Sequence, residues 1–278
     1  MNESIPGLSP HLLTLLGQLG TVKTFSEGDS HCLAAIHPSR PTIGTIGAWT
    51  GGPAAREQAE HWLAAQGCTV ARGPMLLCSW FDYRVNDGPF VEPPFLMEPT
   101  ERPEPWVDAD YVECAGYSST LVPHEPILTA TRPITNRLES EGWSIQSLPR
   151  GDDGLVPLAA YEDAVARIHA IAHEAFASAF GFCSLPLTAM QALYAPYRAA
   201  VDPDLVLIAT APDGTDAGFL FGMPDRALPQ RGWAIIKTSA IRPEHGGKRV
   251  GTWINAEAHR RFRRKGYERV VYALMWDE

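Results

Sequence analysis

The chain has 278 residues, 45% of them hydrophobic and 20% charged, with a formal net charge of -9. That length suits one large domain or two ordinary ones, with enough apolar material for a real core. The acidic balance argues against general affinity for nucleic acid or anionic membrane, since both reward cationic surfaces. Five cysteines, Cys32, Cys68, Cys78, Cys114 and Cys183, are scattered and form no C-x-x-C. This pattern fits reduced thiols rather than a disulfide framework or a zinc site. No apolar run approaches the roughly 18 residues of a membrane span, and the start lacks a basic segment leading into an apolar one. A cytoplasmic setting is expected.

In chain order, Leu12, Leu13, Leu15, Leu16 and Leu19 suggest one short amphipathic helix. "HCLAAI" and "PTIGTIGAW" read as strands, with Gly44 and Gly47 allowing close backbone approach. Ala55, Ala59, Trp62 and Leu63 fall at helical spacing between Ala54 and Gln66, and Gly67 supplies a stop. "CTVARGPM" reads as a short strand. The proline-rich stretch from Pro89 to Pro105 is extended loop or edge strand, because proline donates nothing to a ladder. Charges, glycines and prolines at 147–159 mark a boundary, dividing the chain into 1–146 and 147–278.

Beyond it, Tyr161, Val165, Ile168, Ala172 and Phe176 outline a strong amphipathic helix, and a second helix runs from about Pro186 to Arg198. "DLVLIAT", "AGFLFGM" and "WAIIKTSAI" read as three successive strands. Val250, Trp253, Ile254, Ala258 and Phe262 make another helix that Gly266 ends, and "RVVYALM" reads as a strand buried on both faces. Residues 43–75 and 236–275 share one order: strand, glycine turn, helix, glycine, strand ending in methionine. This repeat points to a duplicated architecture.

The chemistry concentrates in "RPEHGGKRVGTW", residues 242–253. A glycine turn at the start of a helix frees successive backbone N–H groups, and the helix dipole makes that end positive. Lys248 and Arg249 add full charges, so the stretch has the makings of a diphosphate cradle.

The order helix, helix, three strands, "KTSAIRPEHGGKRVGTWINAEAHRRFRRKGYERVVYALM" resembles the GCN5-related N-acetyltransferases over about 150–278. The first half, in "GAWTGGPAAREQAEHWLAAQGCTVARGPM", looks like the degenerate half of tandem members. The resemblance implies an α/β fold of two such halves, each a mixed, mainly antiparallel sheet flanked by helices. It also implies a donor-gripping strand at Thr238, Ser239, Ala240 and Ile241. The diphosphate would lie on Gly246, Gly247, Lys248, Arg249, Val250, Gly251 and Thr252. Gly246 stands where the family motif has Arg or Gln, and Arg249 stands where it has its middle glycine. The first half's turn lacks a cation, so it is read as having lost cofactor binding. The family also continues into a further helix and strands beyond the position of "ALM", and nothing follows here in that order.

The implied reaction moves an acetyl or other acyl group from a pantetheine thioester to the amine of a small molecule. The donor is acetyl-CoA or another acyl-CoA, or the acyl-phosphopantetheine of a carrier protein. An acidic carrier would meet Lys248, Arg249, Arg260, Arg261, Arg263, Arg264 and Lys265, although cations late in a helix also suit its dipole. A non-catalytic ligand-binding or scaffold protein is the alternative from another class. An amine proton must be removed, and the candidates are His173 and Glu174, with Asp225 and His245 behind them. Trp80, Tyr83 and Tyr194 are candidate acceptor contacts, as is the 92–99 segment. His169 and His173 have metal-binding spacing but no third ligand, so no metal is expected.

Overall fold

The computed structural model describes residues 7–88, 95–96 and 98–277. The chain divides into two compact units: Met1–Val91, Met97–Cys114 and Ala179–Leu185 form one, and Glu92–Leu96, Ala115–Ser178 and Pro186–Glu278 the other. The 92–99 segment thus lies partly outside the described residues. Among the described residues no helix is long and apolar enough to cross a membrane.

The first unit opens with α1 (Pro10–Leu19), capped by the Ser9 side chain, which accepts from the Leu12 N–H. The strands β1 (Thr21–Glu27), β2 (Ser30–Ile36) and β3 (Ile43–Thr50) form an antiparallel meander. Helix α2 (Ala54–Ala65) then crosses over, and β4 (Val70–Arg72) returns parallel to β3. Ala55, Ala59 and Leu63 are buried at helical spacing on β2 and β3, with Phe25, Ile46 and Trp106. Trp106 belongs to the single-turn α3 (Glu104–Val107).

The second unit begins earlier than the 146/147 division expected from the sequence. Strand β5 (Gly116–Pro123) runs into α4 (His124–Ser140), and β6 (Ser144–Ser147) follows. After α5 (Leu158–Ala175) and α6 (Leu187–Tyr194) come the antiparallel strands β7 (Val206–Thr210), β8 (Asp216–Pro224) and β9 (Trp233–Ile241). Helix α7 (Val250–Arg264) crosses over to β10 (Arg269–Asp277), parallel to β9. The sheet order is β5-β10-β9-β8-β7-β6. So β10 is not an edge: β5, from upstream in the chain, pairs antiparallel with it, and α4 packs on α7. Instead of being buried on both faces throughout, β10 is exposed from Met275 to Asp277.

Each unit therefore contains an antiparallel strand run that ends in a strand, a crossover helix and a parallel strand, and this last part is the order the sequence repeat anticipated. In the second unit, α7 buries Val250, Trp253, Ile254, Ala258 and Phe262 against β8, β9 and the Leu205–Leu207 region. A fully buried side chain of this kind contributes about 1.5–3 kcal/mol, so this stripe fixes where the N-terminus of α7 meets the end of β9. On the other side, α5 is pinned by a bidentate pair: Arg167 Nε and Nη2 donate to Asp216 at 2.8 and 2.6 Å.

Candidate functional site

Strands β9 and β10 pair from Arg269↔Trp233 to Tyr272↔Ile236 and then part. Both carry a break at that level. In β9 the register against β8 passes from Gly222↔Ile236 to Phe221↔Thr238, leaving Lys237 as the extra residue of a bulge. In β10 the register against β5 slips between Tyr272 and Met275, where Leu274 adopts φ 54° and donates its N–H to Ser119 Oγ. Past Ile236, β9 keeps β8 on one side and has no ladder to β10 on the other.

Antiparallel alternation says which backbone groups that edge offers. The Arg242 N–H donates to the Ala217 carbonyl at 2.8 Å, which assigns 238, 240 and 242 to β8. Ser239 and Ile241 then direct their N–H and C=O toward the side β10 has left. Of the four residues Thr238 to Ile241, these two hold the free edge.

The strand ends in a one-turn 3-10 segment, Pro243–His245, and a loop into α7. Gly247 and Arg249 both sit in the left-handed region, at φ 74° and 70°. Two such residues around Lys248 curl the chain so that its amides converge. The first helical bond of α7 runs from the Trp253 N–H to the Arg249 carbonyl. Among the described residues, no hydrogen bond takes up the N–H groups of Gly247, Arg249, Val250, Gly251 or Thr252. These are free donors at the positive end of a fifteen-residue helix. A side chain at Gly247 would meet nothing within 4 Å, so the glycine is there for its backbone conformation.

The cations nearby differ in use. Arg249 is exposed and makes no ion pair among the described residues. Lys248 folds back, with Nζ 3.2 Å from His245 Nδ1 and 5.8 Å from the Trp143 ring centroid. Its carbonyl accepts from Arg137 Nη2 at 2.9 Å. Arg242 donates from Nη1 to Glu174 Oε1 at 2.5 Å, joining the C-terminal end of α5 to the loop, while its buried Nε has no partner among the described residues. His245 is buried edge-to-face on Trp143. Asp225 is buried too: its Oδ1 accepts from the Leu96 and Ala227 N–H groups, which makes it a loop clip.

His173 Nδ1 lies 2.8 Å from the His169 carbonyl. A carbonyl only accepts, so Nδ1 carries the proton and Nε2 is the basic nitrogen. The His169 and His173 rings stack at 3.9 Å, and no group of three metal-ligating side chains occurs among the described residues. Tyr194 is on α6, its carbonyl accepting from Tyr161 Oη, and burial pushes its phenol up to about 12. Trp80 and Tyr83 belong to the first unit. Trp80 Nε1 donates to the Cys183 carbonyl, and Tyr83 Oη accepts from Arg84.

The basic run at 260–265 is largely committed. Arg260 and Arg261 pair with Glu257 at 2.5 and 2.7 Å, Arg263 with Glu125 at 3.0 Å, and Lys265 with Asp202 and Asp204. Sequence reasoning missed these partners, because Glu125, Asp202 and Asp204 come from distant segments.

The equivalent place in the first unit is filled by its own chain. Past Thr45↔Arg72, the Met75 N–H donates to the Ile46 carbonyl and the Leu77 N–H to Thr45 Oγ1. Gly47 admits this segment: a Cβ there would lie 2.9 Å from the Met75 backbone. At the start of α2, Ser30 Oγ takes the Ala55 N–H and donates to the Gly52 carbonyl. The slot is closed and part of the cradle is used internally.

The second unit's sheet, with β9 and β10 parting above the start of α7, has a fold that solved GCN5-related N-acetyltransferase structures share. The chain matches no family model and no curated protein sequence. Among solved structures, a GCN5-related glucosamine N-acetyltransferase region of a fungal multi-domain GH3 β-N-acetylglucosaminidase superposes with a TM-score of 0.52 at 12% identity. The match covers 95% of this chain and 32% of that one, so this chain spans about a third of that protein's length. A tandem GNAT protein from the clavulanic acid biosynthesis pathway gives a TM-score of 0.47 at 12% identity, over 99% of this chain and 81% of that one. L-PGS from Bacillus licheniformis gives 0.39 at 14% identity, over 94% and 73%.

Proposed function

We propose that the second unit is an N-acyltransferase that takes an acyl group from acyl-coenzyme A, with acetyl-CoA the first donor to test, and passes it to the amine of a small molecule. The observation that carries this reading is a coincidence of two features. A strand edge is freed beyond Ile236, and the unpaired amides of Gly247 and Arg249–Thr252 lie at the start of α7, where that strand leads. An extended pantetheine arm can add to such an edge through Ser239 and Ile241, as a strand would. Its diphosphate then meets the amides, the helix dipole and the exposed Arg249 guanidinium.

With the thioester in the notch, a β9 N–H polarises its carbonyl, a neutral amine attacks, and the thiolate leaves. His173, with its basic Nε2, takes the amine proton, and Glu174 holds Arg242 at the loop. Tyr194 is the acceptor-side contact we retain on this unit. Coenzyme A is preferred to a carrier protein because the cations at 260–265 that would greet an acidic carrier are paired within the chain.

Calorimetry with acetyl-CoA, followed by thiol-release assays over an amine panel that includes glucosamine, tests the reading. Binding is expected to weaken about tenfold in Arg249→Ala, the worth of one charge-assisted contact. Transfer only from an acylated carrier protein would overturn the donor. Tight binding with no turnover on any amine would make the protein a ligand-binding member of the fold.

A further inference from the structure

The first unit holds a cluster of reactive groups that the proposed transfer does not use. The Ser79 N–H donates to the Gly181 carbonyl at 3.0 Å, and Trp80 Nε1 donates to the Cys183 carbonyl at 2.8 Å. The Trp80 and Phe182 rings pack 5.7 Å apart. These contacts staple two distant segments and bring the Cys78 and Cys183 thiols within hydrogen-bonding reach, both buried.

The surroundings of the two sulfurs differ. His37 Nδ1 accepts from the Ser39 N–H at 3.2 Å, so its proton is on Nε2. His37 and Arg40 line the same small cavity as Cys183, and the Arg40 guanidinium adds positive charge there. The Cys78 S–H, the His37 N–H and the Arg40 charge together hold the Cys183 thiol below the ordinary range, against the cost of burial. Cys78 is pushed the other way, by its bond to Cys183 and by burial. A small cavity with about 10 Å³ of accessible space is lined by His37, Arg40, Gly181 and Cys183, and not by Cys78. That is room for about one water-sized solute. A space of that size suits a solute as small as hydrogen peroxide and is far too small for glutathione disulfide.

We propose that Cys78 and Cys183 form a peroxide-reactive dithiol, with Cys183 the attacking and Cys78 the resolving sulfur. The Cys183 thiolate attacks one peroxide oxygen, the O–O bond breaks, and Cys183 becomes a sulfenic acid. The departing hydroxide takes the Cys78 proton and leaves as water. The Cys78 thiolate then attacks the sulfenic sulfur, the S–O bond breaks, the disulfide forms, and the second hydroxide is protonated by solvent. The two sulfurs supply the two electrons that reduce the peroxide. Cys32 is pushed up to about 12 by burial, which outweighs the nearby Arg56 charge, and stays inert.

The test is a peptide map of the full chain after stoichiometric hydrogen peroxide, with thiols alkylated on denaturation. The expected product is a Cys78–Cys183 linked peptide, lighter by two hydrogens than its parts and restored by dithiothreitol. In Cys78→Ser the reaction should stop at a dimedone-reactive sulfenic acid on Cys183. Recovery of both cysteines fully alkylated after the exposed Cys114 has oxidised would overturn the proposal. So would dimedone labelling of Cys78 in place of Cys183 when Cys183→Ser and Cys78→Ser are compared. The wild-type map decides the pairing even where a variant fails to fold.

Discussion

Arg249 carries two properties that a substitution can separate. Its backbone is left-handed, which costs a non-glycine residue about 1–2 kcal/mol. Its guanidinium is exposed beside amides that have no partner among the described residues. Arg249→Gly removes both the strain and the charge. Glycine also gives the unfolded chain more freedom, which returns part of the gain. The expected result is a fold between unchanged and about 1 kcal/mol more stable, with acetyl-CoA binding weakened as in Arg249→Ala. Melting curves and calorimetry on the two variants read these effects independently. A destabilised Arg249→Gly that still binds at wild-type strength would show the side chain to be structural. The sequence located this loop through Pro243, Gly247 and Gly251. It could not show that Lys248 turns back onto Trp143, or that Glu174 is held by Arg242, because both are contacts between segments.

Among the elements, β9 was legible to the residue from its bounded apolar run, and α7 from its buried stripe. Strand β5 and helix α4 were not read, and the reason is physical. β5 is a half-exposed strand of serines and threonine that gains its partner only from β10. Helix α4 carries Pro133 in its interior, a signal that normally ends a helix. Here packing on α7 overrides it. Pro133 is exposed, so Pro133→Ala should restore a helical hydrogen bond and stabilise the protein by about 1–3 kcal/mol, read from urea unfolding.

The same α4–α7–β10 packing buries a chain of polar groups with one direction. His124 Nε2–H donates to the Tyr267 carbonyl, His259 Nδ1–H to His124 Nδ1, and Tyr272 O–H to His259 Nε2. Burial, then the neighbouring His124, lowers His259 to about 4. A histidine held below its unfolded value favours the neutral form. Its contribution is therefore full above about pH 6.5 and is lost as pH falls from there toward 4. The loss amounts to about 3 kcal/mol. Unfolding free energies across this range should fall in the wild type and flatten in His259→Gln; parallel curves would remove His259 as the cause.

At the scale of the whole molecule, the duplicated order of strand, glycine turn, helix and strand was visible in sequence, and both sheets carry it. What distinguishes the halves was not visible, because it lies in the use of backbone groups that every residue owns. In one unit the strand edge past Ile236 is free and the helix amides are bare; in the other, Met75 and Leu77 occupy the edge and Ser30 takes an amide of α2. Duplication alone would predict two donor sites per chain, whereas these hydrogen bonds predict one. Calorimetric titration with acetyl-CoA should give a stoichiometry of one, and Arg249→Ala should weaken that single isotherm as a whole. A second, unaffected isotherm would mean that the Gly73–Leu77 segment yields to ligand, since only its displacement could expose the edge of β3. Opening that edge would break the Met75 and Leu77 bonds, each worth about 1 kcal/mol, and would uncover Met75, Leu76 and Leu77, all buried. Apolar exposure of that kind costs several kcal/mol more, which is why the closed half should stay closed at any donor concentration the open half needs.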